Sequence, residues 1–530
     1  MLEFPAAPGT PRSRGSQRGS AGREYLEMKA VKTPRAYPGP VWRRILAACL
    51  LPPLMLMPLA AAAQPAGLPS LGDASAATLS PRVEQRLGDA LMAEGRFDPT
   101  YIDDPSVNQY LSTMADRLAQ HAAGGPPTVQ AFSIRDPSIN AFAMPGGYIG
   151  VHSGLVTATA SESELAGVVA HEIAHVTQRH VARGLAQQGQ SSLMLLGLML
   201  GSLAAAAAGA GQLAMGAAAF GQAAVISSQL SFSREAEREA DRVGIQMMEG
   251  AGYDPSGMAS MFGRMMQLSR FNQVRGPGYA STHPLSLDRM SDMQNRVGRS
   301  GMRGDGDSDT YAFVRAKLLV LQANTGQTID PVLQLQSEAE GANGTRAAAA
   351  WYGVAQRRLI QGDPGSAGEA LKQAQATGVE HPMLAQLQAE WLAASGQIGE
   401  ALAVTVKGIK RWPNDRGLAI AHARLLQQAG RDRDATVFLA QTIKRWPEVE
   451  PALYRMAAES QARLGERMAE ARSMADYYAR IGAWPAALDQ MRRARAASND
   501  FHQQSVLDAR IHEIQRRIEE DRALLAEFRR

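Results

Sequence analysis

Residues 161 to 177 read SESELAGVVAHEIAHVT, and the organisation of the chain is best worked out from them. Ser161 followed by Glu164 is a capping box, the mark of a helix start. Behind it Leu165, Val168, Val169, Ile173 and Val176 recur at helical spacing, so the segment predicts a helix with one buried face. His171 and His175 stand one turn apart on that helix and can reach a single metal ion, while Glu172 lies about 100° round the axis. Zinc accepts such nitrogen ligands and needs a third protein ligand beside an open position. Glu172 is then placed to take the proton of a water attacking a peptide carbonyl. Two unrelated histidines on a surface helix would give the same five letters, so a third ligand decides the matter.

The metzincin pattern does not supply it, because Gln178 stands where a glycine is needed and Val181 where the third histidine would be. His180 is off register on a continuous helix and reads as a solvated helix-end histidine. A second helix starts at Ser233 in the run SREAEREAD, with Glu237 and Asp241 one turn apart and Ile245 continuing their face. An acidic pair in line with an apolar residue is what an inward metal carboxylate with its supporting partner looks like. Glu235 and Glu239, interleaved with Arg234 and Arg238, fit a solvated, ion-paired face. Spacing favours Glu237 without deciding it.

Upstream of the motif, Thr128–Ile134 and Gly147–Val151 are short strand candidates, joined through the turn Pro145-Gly146-Gly147. Downstream, no charged residue occurs between Arg183 and Arg234, and 191–229 is weakly apolar and rich in Ala and Gly. That stretch reads as a helical hairpin over the site, in contact with a membrane surface, in preference to a spanning pair. Gly, Ser and Asp crowd around 301–310, which reads as a linker.

Beyond the linker the chain repeats itself. Ile409-Lys410-Arg411-Trp412-Pro413 returns as Ile443-Lys444-Arg445-Trp446-Pro447, 34 positions later, and Gly362, Gly396 and Gly430 keep the same interval. Each glycine is followed five residues on by Ala367, Ala401 or Ala435. This is the tetratricopeptide (TPR) pattern, whose units stack into a solenoid because none buries its apolar face alone. The final stretch, 511–530, is charged all round and reads as a solvated helix.

The net charge of +4 is misleading about partners. Residues 1–63 hold nine Lys/Arg and three acids, and Arg43-Arg44 precede a short apolar run ending in Ala61-Ala62-Ala63. That is the layout of a Sec-type signal peptide with an N-terminal extension, cleaved after Ala63. Without it the net charge is −2, so a nucleic-acid partner is not expected. The single cysteine, Cys49, goes with the leader, which excludes a disulfide scaffold.

HEIAH, then SREAEREAD some 60 residues later, then Thr282-His283-Pro284 with Arg289 behind it, together resemble the zinc peptidases that include the CAAX prenyl proteases and the heat-shock membrane protease. With a signal peptide in front and TPR repeats behind, the chain is similar to the periplasmic β-barrel assembly-enhancing branch of that family. The resemblance implies one zinc ion per chain, held by His171, His175 and Glu237, with Glu172 as the base and Asp241 orienting a zinc-bound histidine. It implies that His283 lies on a loop and gates the site as a fourth ligand, and that Asn140, Ala141 and Phe142 belong to an edge strand where substrate adds. From the residues alone, His283 is a loop histidine and 140–142 are equally ordinary sheet core.

The implied clients are unfolded or stalled outer-membrane β-barrel proteins, degraded or assisted, with the β-barrel assembly machinery met through the TPR domain. A chaperone or scaffold with a latched, weak protease is the rival from another class. The expected fold is α+β, mainly α: an HExxH zincin domain of gluzincin-like type over 64–300, the linker over 301–310, a TPR α-solenoid over 311–510 and the terminal helix over 511–530.

Overall fold

The computed structural model describes residues 79–527, apart from 126, 188–231, 272–278, 302, 303, 305, 324–329 and 447–449. The expected leader with Cys49, the stretch 191–229 and Pro447 lie outside the described residues. Among those described, no helix is long and apolar enough to cross a membrane.

The first part runs α1 (Pro81–Gly95), α2 (Pro105–Ala119), β1 (Gln130–Ile134), β2 (Ala141–Ala143), β3 (Tyr148–His152), α3 (Ser153–Ala158), α4 (Glu162–Thr177), α5 (His180–Gln187), α6 (Arg234–Gly250), α7 (Ser256–Phe271), α8 (Tyr279–Thr282) and α9 (Leu287–Ser300). The three strands form one sheet in the order β1-β3-β2, with β1 parallel and β2 antiparallel to the central β3. Phe142 sits opposite Gly150, and a Cβ there would come within 2.6 Å of the Phe142 ring, so the glycine lets the ring lie across the strand.

Helix α4 starts as its sequence suggests, with Ser161 Oγ accepting from the Glu164 N–H. The Glu164 carboxylate reaches one residue further back than a standard capping box, accepting from the Ala160 N–H at 2.7 Å. Leu165, Val168, Val169 and Ile173 are buried, whereas Val176 is half-buried at the helix end. The helix stops because Arg179 takes φ 51°, a left-handed conformation unusual for a residue with a Cβ. Its guanidinium bonds the Leu79 carbonyl and Glu84, which holds the strained turn in place.

A solenoid follows: α10 (Asp309–Ala323), α11 (Val332–Glu340), α12 (Gly344–Ile360), α13 (Pro364–Ala376), α14 (Pro382–Ala394), α15 (Ile398–Arg411), α16 (Arg416–Gln428), α17 (Asp432–Arg445), α18 (Pro451–Arg463), α19 (Arg467–Arg480), α20 (Trp484–Ala497) and α21 (Phe501–Glu527). The 34-residue glycine interval has a direct cause. Gly362, Gly396 and Gly430 adopt φ of +77°, +80° and +67°, and the N–H after each bonds a carbonyl five residues back, closing the preceding helix with a Schellman turn. Ala367, Ala401 and Ala435 are buried where paired helices touch.

Two expectations change here. Part of 301–310 is a packed seam: Asp307 and Ser308 bond Glu162 at the start of α4, and a Cβ on Gly304 would lie 2.4 Å from the Asp254 nitrogen. The region 511–530 is not solvated all round either. Leu507, Ile511, Ile514 and Ile518 form a buried stripe at 4-3-4 spacing against α20. The same helix bonds α1 through Arg86–Asp521 at 3.0 Å and Arg517–Asp89 at 3.2 Å.

The described residues accordingly form one compact unit. A single apolar core runs from Ile102, beside α2, through Phe313 and Tyr352 to Leu387 in the solenoid. Lys317 crosses the seam to Asp104 at 2.6 Å, and Gln109 exchanges two bonds with the backbone at Asn414 and Arg416.

Candidate metal centre

Helices α4 and α6 pack tightly, since a Cβ on Gly244 would sit 3.3 Å from the Ala170 backbone. That closeness turns Glu237 and Asp241 towards the histidines of α4. His171, Glu172, His175, Glu237, Asp241 and His283 are each at most 2% exposed.

One ligand atom from each of His171, His175, Glu237 and His283 lies within 4.8 Å of the others. The Nε2 atoms of His171 and His175 are 3.0 Å apart, His171 Nε2 is 3.4 Å from Glu237 Oε2, and His175 Nε2 is 3.6 Å from Glu237 Oε1. His283 Nδ1 stands 3.0 Å from Glu237 Oε1 and 3.3 Å from His171 Nε2. Donors about 2.0–2.2 Å from a tetrahedral zinc ion are separated by about 3.3–3.6 Å, so nitrogen–oxygen sets of this chemistry and spacing fit zinc. The Glu172 carboxylate is buried, with the Tyr279 hydroxyl beside it and Oε1 3.5 Å from His283 Nε2.

The electrostatics sort these groups by role. Burial pushes the Glu172 carboxyl above its usual range, against the pull of His283 and His171, which favours a proton-accepting group. Burial alone would lower His171, but its bonds to Asp241 and Glu237 carry it to about 9. Burial holds His175 well below the usual imidazole range. Burial opposes ionisation of Asp241 as well, yet the bonds from Arg289 and His171 hold it low. Asp241 meets His171 Nδ1 at 3.0 Å and accepts from Arg289 at 2.7 and 2.8 Å, while Arg289 also reaches Glu237 at 2.7 Å.

Three residues escaped the reading of the sequence in whole or part. His180 is buried, with Nδ1 2.9 Å from His175 Nδ1; the turn at Arg179 redirects a side chain that a continuous helix would send about 140° away from His175. Tyr279 stacks on His283, an i to i+4 pair whose ring centroids are 4.4 Å apart. Phe232 stacks on His175 at 4.0 Å. Neither aromatic carries a motif, so only the fold reveals it. Among the described residues β2 is a sheet edge that spans Ala141–Ala143, with Asn140 just outside it, and the Ile139 carbonyl nearby accepts from the Tyr279 N–H.

Residues 105–297 match the model of peptidase family M48. Over this stretch the chain is similar to the M48 peptidases. The putative β-barrel assembly-enhancing protease of Vibrio cholerae is 39% identical over 257 residues, covering 48% of this chain and 52% of that protein. The β-barrel assembly-enhancing protease of Escherichia coli K12 is 34% identical over 252 residues, covering 48% and 51%. Metalloprotease LoiP of E. coli K12 is 28% identical over 240 residues, covering 44% of this chain and 85% of that one. The chain spans about half the length of the two β-barrel assembly-enhancing relatives it matches.

Proposed function

We propose that the chain is a zinc-dependent endopeptidase of the periplasm that degrades misassembled outer-membrane β-barrel precursors and aids the assembly of others. The observation that carries this reading is the convergence of His171, His175 and Glu237 donors beside a buried Glu172 within the stretch that matches the M48 model. The client class is supported by the names of the V. cholerae and E. coli relatives. Location is supported by the signal-type leader, and contact with a membrane surface by the uncharged stretch 191–229. The solenoid is the surface offered to the β-barrel assembly machinery.

When bound, a zinc ion supplies the Lewis acidity that polarises a carbonyl and a water. His171, His175 and Glu237 would hold it. Glu172 takes the proton of the attacking water and returns it to the leaving amine. Asp241 accepts from His171 Nδ1–H, leaving Nε2 as the donor atom, and Arg289 keeps both carboxylates in place. A substrate backbone adds along Asn140, Ala141 and Phe142, which aligns it across the site.

His283 favours a second, latched reading, because its Nδ1 stands among the donors. In that state the protein acts mainly as a chaperone or scaffold. Zinc content and cleavage of an unfolded β-barrel separate the two: Glu172→Gln keeps zinc and loses roughly 10²–10⁴-fold of the cleavage rate. Equal cleavage by wild type and Glu172→Gln would end the peptidase reading, whereas faster cleavage by His283→Ala supports the latch.

A further inference from the structure

We propose that His180 and Glu239 are positioning residues for the ligand His175, joined in the relay His175 Nδ1–H to His180 Nδ1, then His180 Nε2–H to Glu239. The inference rests on the zinc reading above and concerns residues that it leaves without a role.

A neutral histidine that ligates through Nε2 carries its proton on Nδ1, and at a buried site that N–H requires an acceptor. His171 meets this need directly, with Asp241 3.0 Å from its Nδ1. His175 has no carboxylate there. The atom facing its Nδ1 is His180 Nδ1 at 2.9 Å, and both rings are at most 2% exposed. An imidazole nitrogen accepts only when the ring's proton is on the other nitrogen. His180 Nε2 lies 3.2 Å from Glu239 Oε2, which fixes the proton there, and Arg183 steadies the same oxygen at 3.0 Å. Phe232 stacks on one face of the His175 ring. The two zinc histidines are thus oriented by different chemistry, one by a buried carboxylate and one by a neutral imidazole whose own partner is a surface glutamate.

The test uses the full-length chain and zinc itself, with dissociation constants from competition against a chromophoric chelator. The thermal midpoint of the zinc-free protein and the visible spectrum of the cobalt form are read alongside. His180→Ala is expected to weaken zinc binding by about 10–100-fold with the zinc-free midpoint little changed. His180→Asn, whose amide oxygen occupies nearly the position of Nδ1, is expected to recover most of the affinity and the wild-type cobalt spectrum. Glu239 is 28% exposed on its side chain, so Glu239→Ala folds and is expected to lose about tenfold. Wild-type affinity in His180→Ala or Glu239→Ala overturns the relay, as does failure of His180→Asn to bind better than His180→Ala. A wild-type chain that binds no zinc overturns the metal reading itself.

Discussion

Asp104→Asn tests whether the peptidase and the solenoid unfold as one. Asp104 caps α2, accepting from the Ser106 and Val107 N–H groups, and pairs with Lys317 of α10, whose side chain is 4% exposed. Burial would lower the Lys317 pKa, but Asp104 first, then Tyr352 and Glu390, hold it above the usual lysine range, so the ammonium stays charged. Asparagine caps as well as aspartate, so the substitution removes charge and little else. An ammonium left without its partner in the interior costs about 3–5 kcal/mol. Adding Lys317→Met removes the stranded charge and should return most of that loss, giving a coupling of about 2 kcal/mol or more between the two sites. Five of the six tryptophans lie in 351–484 and none in 64–300, so fluorescence follows the solenoid alone. Zinc release follows the peptidase side. Both probes should fall together in Asp104→Asn, by on the order of 2 °C per kcal/mol, and recover together in the double variant. A shift in one probe only, or a double variant as unstable as Asp104→Asn, would refute the single-unit reasoning.

Glu450 is 9% exposed and burial lifts its carboxyl to about 7, against the pull of Arg416. Between about pH 4.5 and 7 the folded chain binds the extra proton, so this site's contribution falls as pH rises, by about 3 kcal/mol in full; Glu450→Gln should flatten the midpoint between pH 5 and 8, and an unaltered profile would count against the raised carboxyl. Ile514→Ala, in the stripe of α21 at 2% exposure, should cost about 2–5 kcal/mol by urea titration, whereas a solvated helix would lose almost nothing. Asp241→Asn should weaken zinc binding by about 10–100-fold, read by chelator competition, because it replaces the acceptor that orients His171.

What could be read in advance was whatever repeats or pairs over a few residues. The HExxH helix and the Glu237–Asp241 pair rest on spacings within one or two turns, where geometry is nearly independent of the rest of the chain, and the 34-residue glycines declare themselves by repetition. His283 was only a loop histidine by its neighbours; family resemblance, and then the fold, brought it to the ligands. The seams were out of reach because Glu162 and Ser308 are 146 positions apart and Arg86 and Asp521 are 435. His180 was misread for a smaller reason: a single positive φ at Arg179 redirects a side chain that helical spacing would turn outward. In α21 the apolar stripe was present in the sequence, but its crowd of charges concealed it.

The bonds between α21 and α1 also set an order of assembly. Helix α1 packs on the Pro145-Gly146-Gly147 turn so closely that a Cβ on Gly88 would meet the Pro145 oxygen at 2.0 Å, and that turn leads out of the β2 edge. A chain made from its amino end presents the HExxH helix α4 more than 300 residues before the helix that braces α1. The β2 edge therefore gains its last support only when α21 has been made, an order written into the chain's own connectivity.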